Sequence, residues 1–304
     1  MSAHPVARSA VKRVRKVFKR IRAYGGLLIL RCRNLLVREP VTGTADVVVS
    51  MTSYGARLRT VDIALESIAR GTVKPKRMIL WLDDPAAFEH RTPALLRLQR
   101  RGLETRLTRN FGPHTKYFPY VESSAEFDCP LATADDDIIY PSRWLQTLVE
   151  ANHEHPDMVN GHWVRMISLN DGSISRYKDW TQRRDTSPGL NNFALGVSGV
   201  IYPPGMLREL RTRGDQFMDF CPGADDIWLH WVALGAGIQT RQVREVARHF
   251  PMIPGSQAHA LSDVNVGLHR NDDWIRALYS TSDVMALMTA GDAGTLKDGE
   301  SNAS

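Results

Sequence analysis

The feature that most constrains this chain is the alternation of two hydrophobic periods through its first half. Val47-Val48-Val49-Ser50-Met51-Thr52, Met78-Ile79-Leu80-Trp81-Leu82 and Glu104 to Leu107 have the length and apolar character of buried strands. Between them, Thr60 to Arg70 and Pro93 to Arg101 have helical spacing, and Gly71 and Gly102 stop them. Strand, helix, strand, helix, strand is the pattern of a parallel sheet, because parallel neighbours need a long crossover. Leu131-Ala132-Thr133-Ala134 continues the series and runs straight into Asp135-Asp136-Asp137. In an open sheet of this kind, ligands bind beyond the carboxyl ends of the strands. Three adjacent carboxylates there repel one another unless a cation offsets them. Oxygen-only donors suit Mg²⁺ or Mn²⁺, above all when a diphosphate completes the shell. Taken alone, the triplet reads equally well as an acidic surface turn.

The second half is more mixed. Trp144 to His153 is expected to be a helix, Val159 to Leu169 a strand, and Ile174 to Tyr177 its return across Asn170-Asp171-Gly172. Asp179 to Asn192 is polar and turn-rich and reads as a mobile loop. Ala194 to Tyr202 reads as a strand whose Gly196 and Gly199 allow close backbone approach. Helices follow at Met206 to Arg213 and at Ile227 to Leu234, the latter with Asp225-Asp226 at its N-terminal edge. From Ser280 onward small and polar residues dominate, so 280–304 reads as a disordered tail.

Charge divides the chain unevenly. Residues 1–40 hold eleven of the 39 Lys and Arg and one of the 33 acids, a net of +10, whereas the remainder nets −4. From Val11, apolar Val14, Val17, Phe18 and Ile21 alternate with bases in the pattern of a basic amphipathic helix. Leu27 to Leu30 is too short to span a bilayer, and no signal-peptide cleavage pattern follows. The expectation is an arm over 1–40 that lies on an anionic membrane surface at the cytoplasmic, inner face. Nucleic acid is not expected as its partner, since only Phe18 and Tyr24 would offer stacking rings. Three scattered cysteines argue against a disulfide framework and against a cysteine zinc site.

Three landmarks then stand in order: Val48 to Arg57 (VVSMTSYGAR), the TADDDIIYP stretch, and Gly223-Ala224-Asp225-Asp226-Ile227-Trp228-Leu229. On these, the body at roughly 46–279 resembles glycosyltransferases of the GT-A fold, the bacterial, family 2-like, nucleotide-sugar-dependent kind with a DxD motif. The resemblance implies a Rossmann-like three-layer α/β/α sandwich around a mostly parallel sheet. It also implies a UDP- or GDP-sugar donor, a glycan or lipid-linked acceptor, inversion at the sugar, and Mn²⁺ or Mg²⁺. By the same resemblance Asp137 holds the ion with Asp135 or Asp136 assisting, Asp135 being preferred, and Asp135 and Asp136 reach the nucleotide sugar. Asp226 stands at the position of the base, with Asp225 as the spare. The family more often has Glu-Asp at that place, and this chain has Asp-Asp. Many metal-dependent members add a late histidine, and among His249, His259 and His269 the last is preferred, with Arg270 beside it on a closing lid over the diphosphate.

Other positions follow from where they stand. Thr52, Tyr54 and Arg57 end the first strand and enter its loop, so they are candidates for the nucleotide. Lys116, in the loop after the third strand, is placed to neutralise phosphate as a point charge. Asp83-Asp84 reads as a turn cap. Trp163, Tyr177 and Trp180 flank the hairpin where an acceptor would lie, and aromatic faces stack on sugars, although core packing explains them equally well. Two other classes remain: a sugar nucleotidyltransferase, which usually carries a Gly-rich basic loop after the first strand, and a non-enzymatic membrane or nucleic-acid binding module. The first finds only Gly55 between Ser53 and Arg59. The second leaves both acidic clusters without a purpose.

Overall fold

The computed structural model describes residues 25–256 and 269–300, with side chains described through Ala290. The amphipathic segment expected from Val11 to Ile21 lies outside the described residues. Residues 25–36 form a helix, α1, that is docked on the body rather than standing apart from it: Leu30 and Asn34 are buried. The ordered body therefore begins well before residue 46.

The alternating first half folds as its periodicity predicts, with two short helices, Pro85–Glu89 and Phe118–Ser123, that the periodicity did not mark. It runs β1 (Ala45–Thr52), α2 (Val61–Ala69), β2 (Pro75–Leu82), α3 (Pro85–Glu89), α4 (Pro93–Gln99), β3 (Leu103–Leu107), α5 (Phe118–Ser123) and β4 (Leu131–Ala134). Asp84 caps α3 through the Ala86 N–H at 2.9 Å, the turn role its position suggested. Beyond β4 come α6 (Trp144–Glu154), β5 (Val159–Gly161), β6 (Val164–Met166), β7 (Leu169–Asn170), β8 (Ser173–Ile174), β9 (Thr181–Gln182), β10 (Asn192–Ala194) and β11 (Val200–Tyr202). The described fold continues through α7 (Pro204–Arg213), α8 (Phe217–Phe220), α9 (Asp225–Gly235) and β12 (Thr240–Gln242) to the helices Arg270–Leu278 and Thr281–Glu300.

Seven strands make the central sheet in the order β12-β5-β11-β4-β1-β2-β3. β4, β1, β2 and β3 are mutually parallel, β12 is parallel to β5, and β11 runs antiparallel between β4 and β5. Alternation along each strand divides the core in two. Val49, Met78, Leu80 and Ala132 face a layer with Leu30, Leu65, Leu98 and Trp144, from α1, α2, α4 and α6. Val48, Ile79, Trp81 and Leu131 face the opposite layer, with Phe118, Leu207 and Trp228 from α5, α7 and α9. This is the expected three-layer α/β arrangement.

Three expectations give way. The stretch 159–169 is not one strand: β5 stays in the central sheet, and β6 leaves it for a small sheet in the order β10-β6-β9. The apolar run stays apolar across the bend because both sheets bury it. The stretch 194–202 breaks for the same reason, turning at Gly196–Ser198 between β10 and β11. Gly199 there has φ +92°, and the Trp144 indole stands 2.5 Å from where a Cβ would be. The tail is not wholly disordered either. Helix Thr281–Glu300 packs on α9, with Leu287 fully buried and the Trp231 Nε1–H donating to Asp283 at 3.3 Å. Burial of a few apolar side chains organises a segment whose composition is otherwise small and polar.

Candidate active site

β4 ends at Ala134, and the acidic triplet forms the turn at its carboxyl end. The turn is pinned by the backbone on both sides. Asp135 N–H donates to the Tyr140 hydroxyl at 2.7 Å, and Ile253 N–H donates to the Asp137 carbonyl at 2.7 Å. Tyr140 is itself buried, and its N–H donates to Ser67 of α2 at 2.9 Å. The three carboxyl groups are thereby aimed by the scaffold rather than left on a loose loop.

Each carboxylate then finds a partner from another element. Ser53, at the end of β1, donates to Asp136 at 2.6 Å. Arg57, from the 3₁₀ turn that follows, stands 2.9 Å from Asp136 and 3.3 Å from Asp137. Tyr54 is exposed beside it, with the guanidinium 5.7 Å from its ring centre. Thr52 donates its hydroxyl to the Trp81 carbonyl at 3.2 Å, so that side chain ties β1 to β2. Lys116 donates to Asp135 at 2.9 Å.

Lys116 also joins the triplet to the second acidic cluster, 88 residues downstream of Asp137. Its ammonium stands 3.1 Å from Asp225 Oδ2, an ion pair without hydrogen-bond alignment. The turn that bears it is held at both ends. Ser50 of β1 donates to the Lys116 carbonyl at 2.7 Å, and the His114 ring bridges the Tyr117 hydroxyl and the Cys221 carbonyl, each at 2.8 Å. Because a carbonyl only accepts, Nε2 of His114 carries the proton and Nδ1 accepts from Tyr117. Burial pushes this imidazole down to about 3, so it is neutral and acts as a fixed strut from the turn to the start of α9.

Acids at a helix start are often simple caps. The cap position of α9 is Ala224, and Asp225 and Asp226 follow it in the first turn, where Asp226 reaches out of the helix to accept from the Gly196 N–H at 3.1 Å. A Cβ on Gly196 would sit 2.9 Å from that carboxylate and 3.3 Å from the Lys116 ammonium. Ser53, His114 and Gly196 are the site residues that sequence reasoning did not assign. Gly196 alone carried a signal, as a glycine within an apolar strand.

Five carboxylates therefore share two cationic side chains. Burial raises Asp226 well above the usual carboxylate range, and the neighbouring Asp225 charge raises it further. Asp225 is raised by burial despite Lys116. Burial and Asp135 push Asp137 up to about 6. Burial alone would lower Lys116, but Asp135, Asp225 and Asp226 hold it well above its ordinary value, so it stays charged.

Among the described residues no group of three or more acids, histidines or cysteines is arranged to hold a metal ion by protein atoms alone, so an ion here would need ligands from a substrate. Ions of the Mg²⁺ type are held by one or two carboxylates with substrate phosphates completing the shell, and Asp135 and Asp137 supply such oxygens. His269 does not join them. Asp135, Asp137 and His269 are not gathered into one metal-binding group; the His269 ring is largely exposed and lies 3.5 Å from Asp272. Of the lid expected over 265–272, residues 265–268 lie outside the described residues, and Arg270 is exposed at the start of the helix Arg270–Leu278.

Among the expected acceptor aromatics the structure separates three cases. Trp180 is a core residue, 3 % exposed, whose indole donates to the Ser175 carbonyl, so it offers no face to an acceptor. Trp163 is partly buried, with the His249 ring edge-on at 3.8 Å. Tyr177 is partly buried, packed against Trp180 and Phe193 with the Arg165 guanidinium 5.3 Å from its ring centre, and burial raises its hydroxyl.

No protein-family model and no curated protein sequence matches the chain. Among solved structures it is similar to GalNAc-T7 with UDP, GalNAc and Mn²⁺ (11 % identity, 75 % of this chain and 49 % of that one, TM-score 0.48). It is also similar to S. aureus TarS 1–349 (14 %, 67 % and 59 %, TM-score 0.44). CMP:2-keto-3-deoxy-manno-octonic acid synthetase with CTP is a third (14 %, 74 % and 99 %, TM-score 0.42). At these TM-scores the likenesses carry no argument about activity or substrate. What the chain itself displays is a mixed α/β fold built on a large, mostly parallel central sheet.

Proposed function

We propose that this protein is a metal-dependent glycosyltransferase that moves a sugar from a nucleoside-diphosphate sugar to a hydroxyl of a glycan or lipid-linked acceptor, with inversion. The observation that carries the reading is the meeting of Asp135, Asp225 and Lys116 at one point, which joins a strand-end acidic triplet to a separate acidic pair. The triplet serves the donor. Asp135 and Asp137 would hold Mn²⁺ or Mg²⁺, which as a Lewis acid supports the departing diphosphate. Asp136 is fixed by Ser53 and Arg57 and walls the donor site. Tyr54 presents an exposed ring on which a nucleobase can stack.

The pair serves the acceptor. Asp226, whose carboxylate is held by the Gly196 N–H beside Lys116, removes the proton as the acceptor oxygen bonds to the anomeric carbon. The bond from that carbon to the diphosphate breaks, and the nucleoside diphosphate leaves. The Gly196 N–H fixes the Asp226 carboxylate, and Lys116 balances Asp225 beside it. Engagement of Arg57 with Asp136 and Asp137, rather than with open solvent, favours this over a nucleotidyltransferase that meets a triphosphate with a basic first loop.

The test is a panel of UDP- and GDP-sugars scored with Mn²⁺ for thermal stabilisation and for transfer. Asp226→Asn is expected to keep donor binding while transfer falls by about 10²-fold or more. Asp137→Ala is expected to lose the metal-dependent stabilisation. Transfer near the parental rate in Asp226→Asn would move the base to Asp225, and the absence of any nucleotide-sugar binding would end the proposal.

A further inference from the structure

α1 has two apolar faces, and only one of them is used. Leu27, Leu30 and Asn34 turn toward the body, where Asn34 donates to Glu66 at 3.1 Å and to the Ala94 carbonyl at 3.2 Å, and accepts from Arg97 at 2.8 Å. Glu66 is in turn paired with buried Arg101. This polar lock fixes the rotation of the helix about its own axis. The outward face then carries Leu28, Ile29, Leu35 and Leu36, which are 65 %, 58 %, 53 % and 76 % exposed, with Cys32 among them. At 100° per residue these five side chains fill an arc of about 120°. Arg31 borders the arc on one side and Arg33 on the other, and Arg38 follows just past the last turn.

We propose that this outward face of α1 is a docking surface for an anionic lipid bilayer. Helices that rest in a membrane interface sink an aliphatic stripe among the acyl chains while bases along its edges meet lipid phosphates. The α1 face has both parts in that order. Residues 1–24, which lead directly into it, contain eight Lys and Arg and no acid. Glu39, the acid next to the helix, is paired with Lys74 at 3.5 Å. A second copy of the chain would bring arginine borders against arginine borders. Nucleic acid would leave the aliphatic side chains without a counterpart, and the face carries no aromatic ring to stack on a base. Among the described residues no helix is long and apolar enough to cross a membrane. The inference stands apart from the transfer chemistry, and either can fail alone.

The experiment is flotation of the full chain with phosphatidylcholine vesicles, with and without phosphatidylglycerol. It compares the parent with the quadruple variant Leu28→Gln, Ile29→Gln, Leu35→Gln, Leu36→Gln. The parent is expected to float with the anionic vesicles, and the variant to lose roughly tenfold or more of that binding at unchanged Tm, because the four side chains contribute apolar burial. A Leu28→Gln, Leu36→Gln pair is expected to lose an intermediate share. Full binding by the quadruple variant would assign the contact to the basic segment alone and overturn the proposal, as would equal binding to neutral vesicles. A parental dimer that the quadruple substitution converts to monomer would show that a second copy covers the face. Tighter binding by a chain lacking residues 1–24 would show that this segment covers it. Either result would also overturn the proposal.

Discussion

Gly196 shows how much of a site can depend on a missing atom. Its N–H fixes Asp226, and the space where a Cβ would stand is occupied by that carboxylate and by Lys116. Gly196→Ala is therefore expected to displace the carboxylate by a few tenths of an ångström or more. Misplacement on that scale lowers transfer by on the order of tenfold or more with little change in Tm; parental kinetics in this variant would show that the carboxylate position is not limiting. At the residue scale the carboxylates that the fold brings together were conspicuous, because acids next to an apolar run stand out. Their partners were less so. Lys116 was expected to face phosphate, yet its nearest partners are Asp135 and Asp225. His114 and Ser53 had no distinguishing pattern at all. A side chain's partner is a tertiary fact, and short-range spacing does not encode it.

Among the elements, α9 joins the site to the rest of the molecule. Its first turn bears the acidic pair, and one turn later His230 donates through Nε2 to the Leu190 carbonyl at 2.9 Å and accepts through Nδ1 from Tyr279 at 2.7 Å. Burial pushes this imidazole down to about 4, below the value near 6.5 that it has in an unfolded chain. A depressed folded value gives stability that is complete above about pH 6.5 and is lost as pH falls toward 4. The raised carboxylates act in the opposite sense over the same range, so the informative quantity is a difference between proteins. Relative to His230→Gln, the parent is expected to lose about 3 kcal/mol more between pH 7 and pH 4, read from urea midpoints at each pH. Equal slopes for the two proteins would mean that His230 takes up its proton in the fold as readily as in the unfolded chain. The elements of the first half were legible because each buried run is bounded by a glycine, a proline or an acid. The helix Arg270–Leu278 was not. Its opening Arg270-Asn271-Asp272-Asp273 looks like loop, yet Asn271, Ile275 and Leu278 are buried and Trp274 packs against the core.

For the whole molecule, the end of the chain is a structural part of the body. Leu287 is fully buried with the α9 layer, so Leu287→Ala is expected to cost about 2–5 kcal/mol in chemical unfolding; a disordered tail would show no change. The three-layer architecture was legible from the alternation of periods, whereas the antiparallel β11 and the small side sheet were not, because both lie inside apolar runs that continue through a change of sheet. That architecture keeps two surfaces apart. Leu30 of α1 belongs to the apolar layer on one side of the central sheet, and Ile227 and Trp228 of α9 belong to the layer on the other. Close-packed layers separated by a hydrogen-bonded sheet share few side-chain neighbours, and substitutions with no shared neighbour combine additively to within about 0.5 kcal/mol. Changes to the outer face of α1 and changes to Asp226 should therefore act as independent factors, and a doubly substituted protein should show, in vesicle binding and in transfer alike, the product of the two single effects.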